Sequence, residues 1–239
     1  LKNASFNKKN DKINSHYDMV KKYFKKDAEK NKRFYSSRSR KEVENKIKKR
    51  YMWKTYHEIL DQIINKNTNI SSVIDIACGM GNLIIELSKH NNFKRIVGID
   101  FLKETFSIAW KSESIFGNIS FLQGDLINLP FNNQSFDFSI CINTLHHIHN
   151  KDFNRAINEL TRITKHYLMI EIRNKDCIFL PWFNQIIMQK VYSDLPIYCN
   201  SVQDITSLME NNGFILKIIR GKRKLSMASW RLVLVYKRK

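Results

Sequence analysis

The run Val73-Ile-Asp-Ile-Ala-Cys-Gly-Met-Gly-Asn-Leu83 constrains this chain more than any other stretch. Val73 to Ala77 read as a mostly apolar strand that breaks into a Cys-Gly-x-Gly turn. Helical spacing of apolar residues resumes at Leu83, Ile84 and Leu87. Glycine lacks Cβ, so Gly79 and Gly81 let the backbone turn sharply and lie close to a ligand. A dinucleotide-binding fingerprint needs a third glycine three residues after the second, and that position is Ile84. The turn therefore reads as a cradle without a pyrophosphate, or as a bare structural turn between strand and helix.

The downstream segments repeat the α/β rhythm. Arg95-Ile-Val-Gly-Ile-Asp100 reads as a second strand, ending in an acid 19 residues after Gly81. That is close to the offset of about 20 at which a carboxylate meets ribose hydroxyls in nucleotide-binding sheets. Asp100 is equally placed to cap a helix starting near Lys103. Ile119 to Asp125 reads as a third strand and Ser135 to Ile142 as a fourth, which delivers Asn143-Thr-Leu-His-His-Ile148. An amphipathic helix follows on Phe153, Ile157, Leu160 and Ile163, then a fifth strand over His166 to Ile172. A helix from Val202 to Asn212 and strands from Phe214 to Arg220 and Trp230 to Tyr236 complete the pattern.

Residues 71–172 resemble the class I S-adenosylmethionine-dependent methyltransferases. Within them, the Asp-x-x-x-Leu-Pro-Phe-x-x-x-x-Phe-Asp pattern from Asp125 to Asp137 is similar to the broad subgroup around the ubiquinone and menaquinone C-methyltransferases. The resemblance implies a single Rossmann-like, doubly wound α/β sheet of seven strands in the order 3-2-1-4-5-7-6, the last antiparallel. It implies S-adenosylmethionine as cofactor and S-adenosylhomocysteine as product. Ala77, Cys78, Gly79 and Gly81 would then form the cofactor loop, braced by Asp75. Asp100 and Phe101 would lie at the ribose, Asp125 and the Leu126 amide at adenine, and Asn143 beneath the methionine portion. The subgroup's acceptors are diverse, so the resemblance does not name the substrate.

The chain has 239 residues, of which 43% are apolar, enough for one substantial core with appended elements. It divides into a basic helical lid over 1–66 and a methyltransferase domain over 67–239, with a substrate-cap insertion at about 175–200. Tyr17, Val20 and Phe24 mark an apolar face on one N-terminal helix; Val43, Ile47, Tyr51 and Trp53 mark a second. Tyr17 and Tyr35 are candidates to close over the substrate, or else aromatic anchors of the helices. The cap, rich in aromatics and including Trp182, would wall a small-molecule pocket or form a homodimer surface. No apolar run approaches the roughly 18 residues that span a bilayer, and a cytoplasmic protein is expected. Cysteines 78, 141, 177 and 199 form no Cys-x-x-Cys pair and read as free thiols.

Charge is concentrated at the ends. Residues 1–54 hold 19 Lys and Arg against 6 Asp and Glu, and residues 217–239 hold 9 basic residues and no acid, whereas the middle nets −3. Such a field attracts a phosphate- or carboxylate-bearing metabolite, a nucleic acid or an anionic membrane surface, although a Lys-, Asn- and Ile-rich composition also arises by drift in AT-rich genomes. Glu171 and Arg173 fall at the carboxyl edge of the fifth strand, where open α/β sheets bind ligands, and are candidate substrate contacts or a structural ion pair. His146 or His147 is the candidate general base for a hydroxyl nucleophile. A metal site is not expected. The leading expectation is methyl transfer to a small anionic metabolite; the alternatives are a tRNA or rRNA methyltransferase and a non-catalytic cofactor-binding subunit.

Overall fold

The computed structural model describes residues 16–30, 42, 52–67, 69–90, 92–107, 117–178, 195–221 and 228–239. Within them, β1 (Ser72–Ile76), β2 (Arg95–Asp100), β3 (Ile119–Gln123), β4 (Phe136–Cys141), β5 (Thr164–Arg173), β6 (Phe214–Gly221) and β7 (Arg231–Arg238) form one sheet. Its order is β3-β2-β1-β4-β5-β7-β6, with β1 to β5 parallel and β7 antiparallel to both its neighbours. The expected strand order and reversed last strand are both present.

Both faces of the sheet are covered, which is why its inner strands are apolar at successive positions rather than alternately. Side chains still alternate between faces. Val73, Phe138, Ile140, Met169, Val233 and Val235 pack on one side with α2 (Trp53–Lys66) and α3 (Asn82–Leu87). Ile74, Ile76, Cys141, Ile170 and Leu234 pack on the other with α4 (Asn150–Ile163) and α5 (Val202–Asn211). The apolar stripe expected on α4 is buried at Phe153, Ile157, Leu160 and Ile163. The α5 N-terminus is capped by Ser201, whose Oγ accepts from the Asp204 amide at 3.0 Å. At the amino edge, Asp137 on β4 accepts from both the amides and the hydroxyls of Ser71 and Ser72, locking the starts of β1 and β4 together.

Several boundaries differ from expectation for local reasons. β1 ends at Ile76 because Ala77 takes a left-handed φ of 59° and leaves the ladder. The helix expected after Asp100 is a 3-10 turn over Lys103–Ser107, and 108–116 lie outside the described residues. β5 starts two residues earlier than expected, with Thr164 pairing with Phe136. Val43, Ile47 and Tyr51 of the expected second helix also lie outside the described residues, while its Trp53 opens α2. That helix, grouped above with the lid, buries Tyr56, Ile59, Leu60, Ile63 and Ile64 against the sheet. The helix α1 (16–30) is described, but Tyr35, Trp182 and positions 179–194 of the cap are outside. Among the described residues no helix is long and apolar enough to cross a membrane.

Candidate active site

The carboxyl ends of β1, β2 and β4 converge on the glycine turn. Ala77, Gly79 and Gly81 have φ values of 59°, 53° and 72°, so left-handed residues alternate through it. Such a conformation is costly for alanine and free for glycine. Among the described residues, a Cβ built on Gly79 would meet nothing within 4 Å, so no described neighbour lies over this backbone. Gly98 is different: its Cβ would stand 2.7 Å from the Phe121 ring and 2.9 Å from Cys78 Sγ, so that glycine serves packing beneath the turn.

Asp100 holds the turn in place. Its Oδ2 accepts from the Gly79 amide at 2.9 Å and its Oδ1 from the Leu102 amide at 3.0 Å. The second bond is the local capping contact expected of Asp100, and the first ties β2 to the glycine turn. A carboxylate has about four acceptor positions, so the amides of Gly79, Leu102 and Phe101 still leave capacity for a ribose hydroxyl. Burial raises its pKa above the usual carboxylate value, against the pull of the amides of Leu102, Gly79 and Phe101. Asp75, two residues before Ala77, is also buried and is pushed well above the carboxylate range by burial and then by the charge of Asp100. Phe101 is half-buried beside Asp100, and its carbonyl accepts from Gln123 Nε2 at 3.0 Å. Asp125 stands exposed beyond β3 with one oxygen accepting from the Ile127 amide, and Leu126 beside it is buried.

The helix α1 spans this edge. Its Tyr17 hydroxyl donates to Asp152 Oδ2 at 3.4 Å, and His16 Nε2 donates to the His147 carbonyl at 3.2 Å. Phe24 packs edge-on against the His147 ring at 5.1 Å between centroids, and Lys25 reaches Glu104, beyond β2, at 3.5 Å. The helix thus joins the segment after β4 to the segment after β2, and β1 with its glycine turn lies between those strands in the sheet. Burial, then the nearby carboxylates of Asp152 and Asp125, push the Tyr17 hydroxyl far above its usual value, so it remains a neutral donor.

A charged cluster occupies the neighbouring strand ends. The β5–β7 register sets Arg173 directly opposite Arg231. Glu171, on the same face of β5, pairs with Arg173 and accepts from Arg231 Nε at 2.6 Å. The Tyr56 hydroxyl of α2 donates to Glu171 and accepts from Arg231 at 3.0 Å. Asn143, left-handed at φ 56°, turns its Oδ1 to Arg173 at 3.0 Å and Arg231 at 3.3 Å. Burial alone would raise Glu171, but Arg231, Arg173 and the Tyr56 hydroxyl together outweigh it and hold the carboxyl below its usual value. Of this cluster, only Asn143, Glu171 and Arg173 stood out in the sequence. Arg231 left a signal as a cation opening an apolar strand, and Tyr56 as a hydroxyl on an apolar helix face.

The two histidines lie in a 3-10 turn over Leu145–His147, one turn ahead of α4. His146 Nε2 is 3.0 Å from the Arg173 guanidinium, which donates, so that nitrogen is the acceptor and the ring is neutral. Burial, then the charge of Arg173, depress both imidazoles: His146 falls well below its usual value and His147 to about 3. An imidazole so depressed is unprotonated at neutral pH but accepts a proton weakly. The four cysteines are free thiols. Among the described residues no group of three or more His, Cys, Asp or Glu is arranged to hold a metal.

This strand order, with a left-handed glycine turn after β1 and acids ending β2 and following β3, matches the Rossmann-like methyltransferase fold. Residues 73–167 match the family described as a methyltransferase domain. Demethylmenaquinone methyltransferase from Staphylococcus epidermidis is 26% identical over 146 residues, covering 59% of this chain and 60% of that protein. An uncharacterised protein from Methanocaldococcus jannaschii is 27% identical over 53% of this chain and 48% of its own length. The chain thus spans about three fifths or less of these curated relatives. Magnesium protoporphyrin IX methyltransferase from Synechocystis, solved with bound S-adenosylhomocysteine, superposes with a TM-score of 0.63 at 20% identity over 78% of this chain and 83% of that one. At that identity the likeness is one of fold.

Proposed function

We propose that this chain is an S-adenosylmethionine-dependent methyltransferase acting on a small, anionic metabolite. The observation that carries the reading is the left-handed turn at Gly79, open above and tethered by Asp100, at the carboxyl edge of the sheet. The residues fit the cofactor: Gly79 and Gly81 offer close backbone approach, Asp100 has acceptor capacity for ribose hydroxyls, and exposed Asp125 is an acceptor for the adenine amino group. Ala77, Cys78, Phe101, Leu126 and Asn143 complete the walls. When bound, S-adenosylmethionine supplies an electrophilic methyl group, displaced in line with S-adenosylhomocysteine as product.

The protein's part is then to align the acceptor and exclude water. Tyr17 and α1 lie over the edge, and the Glu171–Arg173–Arg231 cluster adjoins the methionine end. The neutral, weakly basic His146 and His147 serve this reading best as walls that position Arg173; a base role predicts that His147→Ala loses turnover with a changed pH profile. The deciding experiment offers methyl-labelled S-adenosylmethionine with bulk tRNA and rRNA in one arm and phosphorylated and carboxylated metabolites in another. Label in the metabolite arm upholds the proposal. Label confined to RNA replaces it with the nucleic-acid reading, for which the exposed Lys21, Lys22, Lys25, Lys26 and Lys30 of α1 are the supporting observation.

A further inference from the structure

We propose that Arg173 is a positioning residue: it turns Asn143 so that the side-chain NH2 of that asparagine receives the carboxylate of the cofactor's amino-acid tail. The inference rests on the methyltransferase reading and adds a residue that works without touching the ligand. Arg173 is fully buried, so it acts on a ligand only through a neighbour. Its guanidinium is pinned by Glu171 and by the Trp230 ring, whose centroid lies 4.8 Å from Cζ. One of its nitrogens, Nη2, donates to two acceptors, Asn143 Oδ1 and His146 Nε2, each at 3.0 Å.

A guanidinium donates and never accepts, and that decides the state of both partners. Asn143 has to present Oδ1 to it, and Arg231 reaches the same oxygen at 3.3 Å. The amide nitrogen Nδ2, a donor only, is therefore turned away from both arginines. His146 has to present an unprotonated Nε2, which puts the ring proton of the neutral imidazole on Nδ1. That Nδ1 is buried with no hydrogen-bond partner among the described residues, and so is Arg173 Nε. Buried donors are seldom left so, because the hydration they lose is not replaced. An arrangement made for stability alone would satisfy them; this one fixes the orientation of Asn143 instead.

Asn143 stands where that orientation matters. It lies two residues past β4, half-buried and left-handed. The sheet order places Asp125, Asp100, the glycine turn and Asn143 at the carboxyl ends of β3, β2, β1 and β4 in succession. A cofactor with adenine at Asp125 and ribose at Asp100 carries its tail past the turn to Asn143. That tail ends in an ammonium, which donates, and a carboxylate, which accepts. The arginines occupy the acceptor end of the Asn143 amide, so the end left for the ligand is a donor, and it pairs with the carboxylate rather than the ammonium.

Calorimetry on the full chain with two ligands tests this: S-adenosylhomocysteine, and methylthioadenosine, which has the same nucleoside but no amino-acid tail. Asn143→Gly removes the amide and keeps the left-handed backbone, which glycine adopts freely. Arg173→Lys keeps the charge beside Glu171 but has no planar fork to hold both acceptors. Each variant should lower S-adenosylhomocysteine affinity by about ten-fold, the worth of one hydrogen bond to a charged group, with methylthioadenosine unchanged. The double variant should bind no more weakly than Asn143→Gly alone, because Arg173 acts through Asn143. Nitrogen NMR spectra of isotope-labelled protein, with His146 assigned by His146→Asn, should show the Nδ1–H tautomer in wild type and a mixture in Arg173→Lys. Unchanged S-adenosylhomocysteine affinity in Asn143→Gly overturns the inference, even if Arg173→Lys does not fold. Equal losses for both ligands overturn it as general damage to the site, and additive losses in the double variant break the link between the two residues. Wild-type protein with His146 as the Nε2–H tautomer overturns it as well. Failure of both ligands to bind wild type defeats the methyltransferase reading, and the inference with it, whatever tautomer His146 shows.

Discussion

Asp100 has two roles that one substitution separates from the fold. Its carboxylate fixes Gly79 from below and offers its remaining lone pairs to the space above. Asp100→Ala should therefore weaken S-adenosylhomocysteine binding by about ten-fold or more, since hydrogen bonds to a charged group are worth about 1.5–3 kcal/mol each. Unchanged affinity by calorimetry would falsify the ribose assignment. Glu171 carries a different burden, because it stands between two guanidiniums with no exposure. Glu171→Gln should cost about 3 kcal/mol or more in urea unfolding, the usual penalty for stranding buried charge. Buried His146 and His147 set a pH dependence. Unfolded imidazoles take up protons near pH 6.5, whereas the folded ones do so far lower, His147 at about 3. Between those values the unfolded state binds more protons, so stability is complete above about pH 6.5 and declines as pH falls towards 3. The slope of unfolding free energy against pH from 7 to 5 should flatten in His147→Asn. The glycine turn and Asp100 were legible in the sequence because the signal is local. Tyr56 and Arg231 were not, because they meet Glu171 across 115 and 60 residues of chain.

At the scale of elements, strands and helices were legible wherever periodicity alone decides them. The apolar positions of α4 and the predominantly apolar runs of β1, β2 and β4 leave few alternatives. The ends were less legible, since hydrogen bonds made in the folded state set them: Ala77 leaves β1 to form the turn, and Thr164 joins β5 by pairing with Phe136. Asp137 shows how such contacts join elements. Burial would raise its carboxyl, but hydrogen bonds from Ser72 and Ser71 outweigh it and hold it below the usual value. Asp137→Asn should lower unfolding free energy at pH 7 by about 2 kcal/mol, with a smaller difference from wild type near pH 3, where the carboxylate is losing its charge. The helix α1 makes a separate claim. Its links run to His147, Asp152 and Glu104, and its outer face is polar, so it is the described element least committed to the core. Hydrogen exchange should slow over 16–30 when S-adenosylhomocysteine binds; identical exchange with and without it would remove the lid role.

The whole molecule carries its charge at the two ends of its sequence, and the C-terminal basic stretch runs through β6 and β7 of the sheet. The site inherits one consequence that no stretch of sequence announces. The charged cluster beside the glycine turn is assembled from α2, the segment after β4, β5 and β7, and thus from residues between 56 and 231. β7 lies between β5 and β6, so β6 cannot dock on β5 directly, although it is made first. On a ribosome, the strands as far as β5 can pair as they emerge, yet β5 must wait with one bare edge until the chain has been made through Arg238. Of the described strands, β7 is thus the last to be made and the one that covers the edge of β5, and it brings Arg231 to Glu171. A nascent chain halted short of it would have its glycine turn in place and Glu171 without Arg231.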